Sequence, residues 1–173
     1  METHHIGRKM IYSEEKIEAT FAENLEKAKH GLVAVGNIST FRGLNGWVYE
    51  QTIRSCLNEE LSSLSSIKFS IEEQFKIKGR ASADLLVGKT AIEIKSGGVF
   101  GKEPEKYKKY KAILTERGYS YLYITKKETH APYREAVKEA FGGEFCFFLT
   151  DPNSWESFVN AVLSTNKTYI NEQ

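Results

Sequence analysis

The sequence predicts an α/β fold, a central mixed sheet flanked by helices with an extra helix at the N-terminus. Three observations predict it. Two apolar stretches, residues 85–87 and 91–94, flank Gly88-Lys89, the kind of dipeptide that closes a β-hairpin. Apolar residues recur at helical spacing in several other segments. The two patterns follow one another in the order α-β-β-β-α-β-α-β-α from Gly46 onward.

Ser13 is placed to cap a helix over residues 14–29, in which Ile17, Phe21 and Leu25 share one face. Gly31 is expected to stop that helix, and residues 32–35 read as a short strand or an extended link. Residues 37–45 read as loop, with Gly36, Gly43 and Gly46 as punctuation. A second helix over 46–64 carries its stripe on Val48, Ile53, Leu57, Leu61 and Leu64. Glu50 falls on the same buried side. Ile67, Phe69 and Ile71 alternate with polar residues, and Phe75 and Ile77 continue the strand. The hairpin strands follow at 83–87 and 90–96, then a glycine-rich loop at 97–101. Pro104 sits in the first turn of a helix that ends near Arg117-Gly118 and buries Tyr107, Tyr110, Ile113 and Leu114. A strand at 119–125, a helix at 132–141 stopped by Gly142-Gly143 and a strand at 145–149 come next. Asp151-Pro152 caps a last helix that runs to about residue 163.

Composition bounds the function. With 173 residues, 40% of them hydrophobic and 27% charged, the chain suits a single domain able to bury a core. It divides into an N-terminal helix and loop extension (1–45), a core (46–164) and a flexible tail (165–173). No apolar run reaches the ~18 residues of a membrane span, and the start of the chain lacks the apolar centre of a signal peptide. His4-His5 reads as part of a disordered terminus. Cys56 and Cys146 have no metal-ligand spacing and read as small buried hydrophobes in a reducing, cytoplasmic setting. There is no P-loop, dinucleotide fingerprint, nucleophile elbow or Cys/His zinc pattern. Net charge is only +1, so any polyanion partner must be held by local charge. Lys102, Lys106, Lys108, Lys109 and Lys111 lie close together, and Lys126-Lys127 adds a pair. Of these, Lys102, Lys106 and Lys109, with Arg80 near the hairpin, are the candidate contacts to a nucleic acid backbone. The competing reading of the lysines is a solvated helix face.

Three charged side chains interrupt the otherwise apolar hairpin. Glu93 and Lys95 are two apart on one strand and emerge on one face, with Ile94 pointing the other way. Asp84 lies on the partner strand and faces them. Two carboxylates and an ammonium in a buried sheet are costly unless a cation or substrate compensates them. The bland alternative is a cross-strand surface ion pair, worth only ~0–1 kcal/mol. A second Glu-x-Lys, Glu14-Glu15-Lys16, lies in a polar helix start and reads as solvated.

The segment from about Gly46 to 163 resembles the PD-(D/E)XK nuclease superfamily, whose motif is an Asp at the start of one strand and Glu-x-Lys on the next. Ala83 stands where that family has its proline. The resemblance implies a restriction-endonuclease-like α-β-β-β-α-β core and a phosphodiester hydrolase. It implies Asp84 and Glu93 as ligands of Mg²⁺, with Mn²⁺ able to substitute, and the Ile94 carbonyl as a further ligand. Glu50 matches the acidic residue that the family often adds from the preceding helix, for a second metal or through water. Its alternative is pairing with Arg54 four positions on. Lys95 would orient or deprotonate the attacking water, or offset charge in the transition state; acting as a base requires a lowered pKa.

The expected activity is a metal-dependent endodeoxyribonuclease of restriction or DNA-defence type, with a homodimer favoured if both strands are cut. A repair or recombination nuclease, either a junction resolvase or an end-processing exonuclease, is the alternative within the enzyme class. A non-catalytic nucleic-acid-binding or assembly module is the alternative outside it. RNA stays open as a substrate.

Overall fold

Among the described residues, nine of the ten α-helices and β-strands begin within three residues of where the sequence places them; β1 begins four residues late. The computed structural model describes residues 9–34, 43–64, 68–97, 103–126 and 131–167. Helix α1 spans Glu14–Ala34. Ser13 caps it as expected, its Oγ accepting from the Lys16 N–H at 3.2 Å and its carbonyl from the Ile17 N–H at 2.9 Å. The helix does not stop at Gly31. Nothing in the surroundings forces a turn there, and a mid-helix glycine costs only ~1 kcal/mol, so residues 32–34 are helical and not extended. Helix α2 (Leu44–Leu64) follows. Leu44 and Asn45, expected in the loop 37–45, are instead the first residues of α2. The rest of that loop up to residue 42, residues 35 and 36, and Ile67 lie outside the described residues.

Strands β1 (Ile71–Lys78), β2 (Ala81–Val87) and β3 (Thr90–Lys95) form an antiparallel meander. Helix α3 (Glu103–Glu116) leads to β4 (Ser120–Thr125), and α4 (Ala131–Phe141) leads to β5 (Cys146–Phe148). Helix α5 (Ser154–Thr165) follows. Strands β4 and β5 run parallel to β3, which makes one five-stranded mixed sheet in the order β1-β2-β3-β4-β5.

The sheet separates two apolar layers. Leu85, Val87, Ile92, Ile94, Leu122 and Ile124 pack with α1, α2 and α5, whereas Leu86, Ala91, Tyr121 and Tyr123 pack with α3 and α4. Strand β3 is therefore covered on both sides, which explains its nearly unbroken apolar run. Glu93 is its one buried charge.

Two polar devices hold this arrangement. Asn166, at the end of α5, accepts from the Lys89 N–H at 2.8 Å and donates to the Val87 carbonyl at 3.1 Å. It thus latches the β2–β3 turn, where Gly88 supplies a φ of 59°. The fully buried Glu60 accepts from the Ile11 N–H (2.6 Å), the Tyr12 N–H (3.1 Å) and the Trp155 indole N–H (2.8 Å), and so ties α2 to the entrance of α1 and to α5. Asp151 does not cap α5 as expected: its side chain pairs with Arg134, and Asn153 is the capping position. Cys56 and Cys146 are buried and free, and no helix among the described residues is long and apolar enough to cross a membrane.

Candidate metal centre

The antiparallel ladder between β2 and β3 ends at Leu85 opposite Ile92, although β3 stays paired with β4 as far as Lys95. Beyond that point the hairpin forks. In a continued ladder the Ile94 N–H would bond to residue 83; Asp84 Oδ2 takes that bond instead, at 2.7 Å. A carboxylate thus replaces a strand and leaves an opening in the sheet. Backbone groups of successive strand residues point to opposite neighbours. The Lys95 carbonyl accepts from Lys126 on the β4 side at 3.2 Å, so the Ile94 carbonyl points toward Asp84.

The fork gathers the residues singled out in the sequence. Glu93, only 6% exposed, accepts from the Tyr121 hydroxyl at 3.0 Å, and its other oxygen lies 3.6 Å from Lys95 Nζ. Glu50 is half-buried on α2 and lies beside Asp84, whose charge acts on it. It is not the partner of Arg54, which lies 3.8 Å from Glu73 instead. Lys95 Nζ is also 3.9 Å from Glu103 in the first turn of α3, and the same Glu103 oxygen is 3.9 Å from Lys106.

Negative charge is in excess here. Burial pushes the Glu93 carboxyl up to about 7, with Asp84 adding to the shift and Lys95 and Tyr121 opposing it. Burial and the neighbouring Asp84 likewise push Glu50 up to about 7. Asp84 is also raised by burial, against the Ile94 N–H, Lys95 and Gln74. Burial pushes the Lys95 ammonium down, but Glu93, Glu103 and Asp84 more than offset it, so its pKa is raised. Lys95 therefore stays a cation, the opposite of what a lysine base needs.

Three participants were not anticipated. Tyr121 and Glu103 reach the site through the register of β4 and the entry of α3, neither of which is written in residue spacing. Gln74 lies opposite Asp84 on β1, between the pairs Glu73–Leu85 and Phe75–Ala83. Its φ of 51° is left-handed, a strain of ~1–3 kcal/mol for a residue with a side chain. Its carboxamide accepts from Ser82 Oγ at 3.0 Å, and its presence beside Asp84 favours the charged carboxylate. An alternating strand offers no signal for such a kink.

The basic residues separate into different roles. Lys106 stands beside the site and packs over the Tyr107 ring. Lys109 is exposed on α3, and Arg80 lies in the exposed β1–β2 turn, at the end of the sheet where β3 terminates. Lys108 pairs with Glu139 at 2.8 Å, and Lys111 donates to the Phe141 carbonyl at 2.6 Å. Lys102, Lys127 and His4-His5 lie outside the described residues, as do residues 98–101 of the glycine-rich loop. A cavity of about 410 Å³ elsewhere is walled by Glu14, Glu15 and Glu18 against the single Lys126, the wrong sign for a polyanion.

Among the described residues, no three His, Cys, Asp or Glu side chains form a ready-made cage for a metal. A hard cation that keeps most of its waters does not need one: Mg²⁺ is commonly held by one or two carboxylates together with water and substrate phosphate. Asp84, Glu93 and the Ile94 carbonyl are an all-oxygen donor set of that kind, and they carry uncompensated charge. No protein-family model, curated protein or solved structure matched this chain, so the functional argument rests on the geometry of this fork.

Proposed function

We propose that the protein is a metal-dependent phosphodiester hydrolase acting on DNA, with the restriction-endonuclease-like core of the PD-(D/E)XK nucleases. The observation that carries this reading is the surplus of carboxylate at the fork: Asp84, Glu93 and Glu50 against Lys95, in a setting that burial makes expensive. The order of α2, β1, β2, β3, α3 and β4 supports it, being that of the family's core.

When bound, Mg²⁺ or Mn²⁺ supplies an acidified water and neutralises charge on the phosphoryl group. Asp84 on β2 and Glu93 on β3 would hold it, together with the Ile94 carbonyl. Lys95 stays an ammonium and pairs with a non-bridging phosphate oxygen as negative charge builds there. Glu50, half-buried on α2 beside Asp84, is the side chain placed to take the proton of the attacking water. Lys106, Lys109 and Arg80 flank the opening and position the backbone of the nucleic acid. One site cuts one strand at a time, so double-strand cleavage favours a second copy of the chain.

The test is cleavage of supercoiled plasmid and of branched and linear DNA in Mg²⁺, Mn²⁺ and EDTA, with Asp84→Ala and Lys95→Ala beside the wild type. Metal-dependent cutting lost in both variants is expected. Equal cutting by Asp84→Ala would refute the assignment of the site. Fixed cuts at one sequence mark a restriction enzyme, a preference for branched DNA a resolvase, and laddering from ends an exonuclease.

A further inference from the structure

Trp47 is 59% exposed, one of two large hydrophobic side chains left in solvent among the described residues. Among the described residues, no hydrogen bond, ion pair or ring contact engages its indole. The fold gains nothing visible from this side chain, and Val48 and Tyr49 beside it are buried as a helix core requires.

Its position is defined by the helix. Trp47, Glu50, Gln51 and Arg54 follow one stripe of α2, at i, i+3, i+4 and i+7. Glu50 engages Asp84, Gln51 donates to Glu73 at 2.7 Å, and Arg54 lies 3.8 Å from the same carboxylate. The stripe therefore faces β1 and β2, and Trp47 continues it one turn, ~5 Å, beyond Glu50. Gly46 beside it approaches Ser96, the residue that follows Lys95; a Cβ there would stand 4.0 Å from Ser96 Oγ. Both neighbours thus place the indole on the rim of the fork.

We infer that Trp47 is a stacking platform for a nucleobase next to the phosphate being cut, which selects DNA whose base is free to stack, namely a single strand, a flap or a frayed end. This inference rests on the hydrolase reading of the fork. Phosphates follow one another at ~3.4 Å of rise per strand in DNA, so an indole one turn from Glu50 lies within one or two nucleotides of a phosphate held there. Inside a continuous duplex both faces of every base are covered, whereas an unpaired base offers a face to an aromatic ring. The charge supports the same choice. At a net +1, with Lys108 and Lys111 engaged in the fold, Lys106, Lys109 and Arg80 meet the backbone with few other cations beside them, and stacking adds to what they supply.

The test uses the full chain with a deoxythymidine 12-mer and with a blunt hairpin duplex of equal length, in EDTA and in Mg²⁺ before appreciable cutting. Binding is read by anisotropy and by quenching of tryptophan emission. Trp155 is 1% exposed, so quenching reports Trp47. The expected result is tighter binding of the single strand with quenching, a loss of at least ~5-fold for the single strand in Trp47→Ala, near-full retention in Trp47→Phe, and an unchanged duplex affinity. Single-strand affinity untouched by Trp47→Ala, or an equal loss for both DNAs, would overturn the inference and leave the hydrolase reading standing. A dimer that dissolves in Trp47→Ala with DNA binding intact would overturn it in favour of self-association. Failure of the wild type to bind either DNA would overturn both.

Discussion

Glu60 and Glu93 are both buried glutamates, and their surroundings are opposites. Glu60 is surrounded by donors: two backbone N–H groups and an indole N–H converge on its two oxygens, and three parts of the chain meet there. Glu93 receives one hydroxyl and one ammonium while facing Asp84 across the fork, and burial drives its carboxyl up to about 7. A carboxylate whose charge is answered by oriented N–H groups holds a fold together. One whose charge is left in surplus weakens the fold unless something from outside completes it. The contrast separates a clamp from a site without reference to any other protein.

The contrast is sharpened first by substitution at Glu93. Glu93→Gln should reduce metal-dependent cleavage by ~100-fold or more while leaving the metal-free melting temperature unchanged or higher, because it removes a costly buried charge. Loss of stability together with activity would place Glu93 with Glu60 among the clamps. Glu60→Ala should do the reverse. It strands three N–H donors, one of them buried and two part-buried, and a cost of ~3 kcal/mol is expected, a fall of ~6–12 °C in melting temperature for a domain of this size. Cleavage per folded molecule should be retained.

Titration gives a third comparison. In the folded, metal-free protein the Glu93 and Glu50 carboxyls are raised above their ordinary values near 4.5 to about 7. Stability from their neutral forms is therefore fully present below pH ~4.5 and is lost as pH rises through 7. For Glu93 the loss is on the order of 3 kcal/mol. Thermal melts in EDTA between pH 5 and 8 should fall more steeply for the wild type than for Glu93→Gln, and Mg²⁺ should flatten the wild-type curve. Parallel curves would mean that Glu93 is already compensated. The smallest effect belongs to Gln74→Gly. Glycine accepts the left-handed backbone, so melting should shift by no more than ~2 °C, whereas losing the carboxamide beside Asp84 should weaken metal binding by ~10-fold. Unaltered metal affinity would reduce Gln74 to a bend in β1.

Much of this was legible in residue order. The helical stripes, the Gly88-Lys89 turn and Glu93-x-Lys95 depend on neighbours within a few positions, and those relations survive folding. What escaped depends on register or on competition between distant groups. The fork at Asp84 exists because a side chain outcompetes a backbone carbonyl for the Ile94 N–H. The kink at Gln74 is set by the strand opposite it. Gly31 reads as a stop, yet a single glycine is by itself too weak a signal to end a helix. The lysines of α3 look alike in sequence, and only the packing of α4 shows that Lys108 and Lys111 are occupied within the fold.

The claim that surplus carboxylate at the fork awaits a cation is tested most directly by calorimetric titration of Mn²⁺ into metal-free protein at pH 8, with Asp84→Ala and Glu60→Gln alongside. Saturable binding that disappears in Asp84→Ala and persists in Glu60→Gln is the predicted result. No saturable binding by the wild type, or binding that Asp84→Ala leaves intact, would contradict the account.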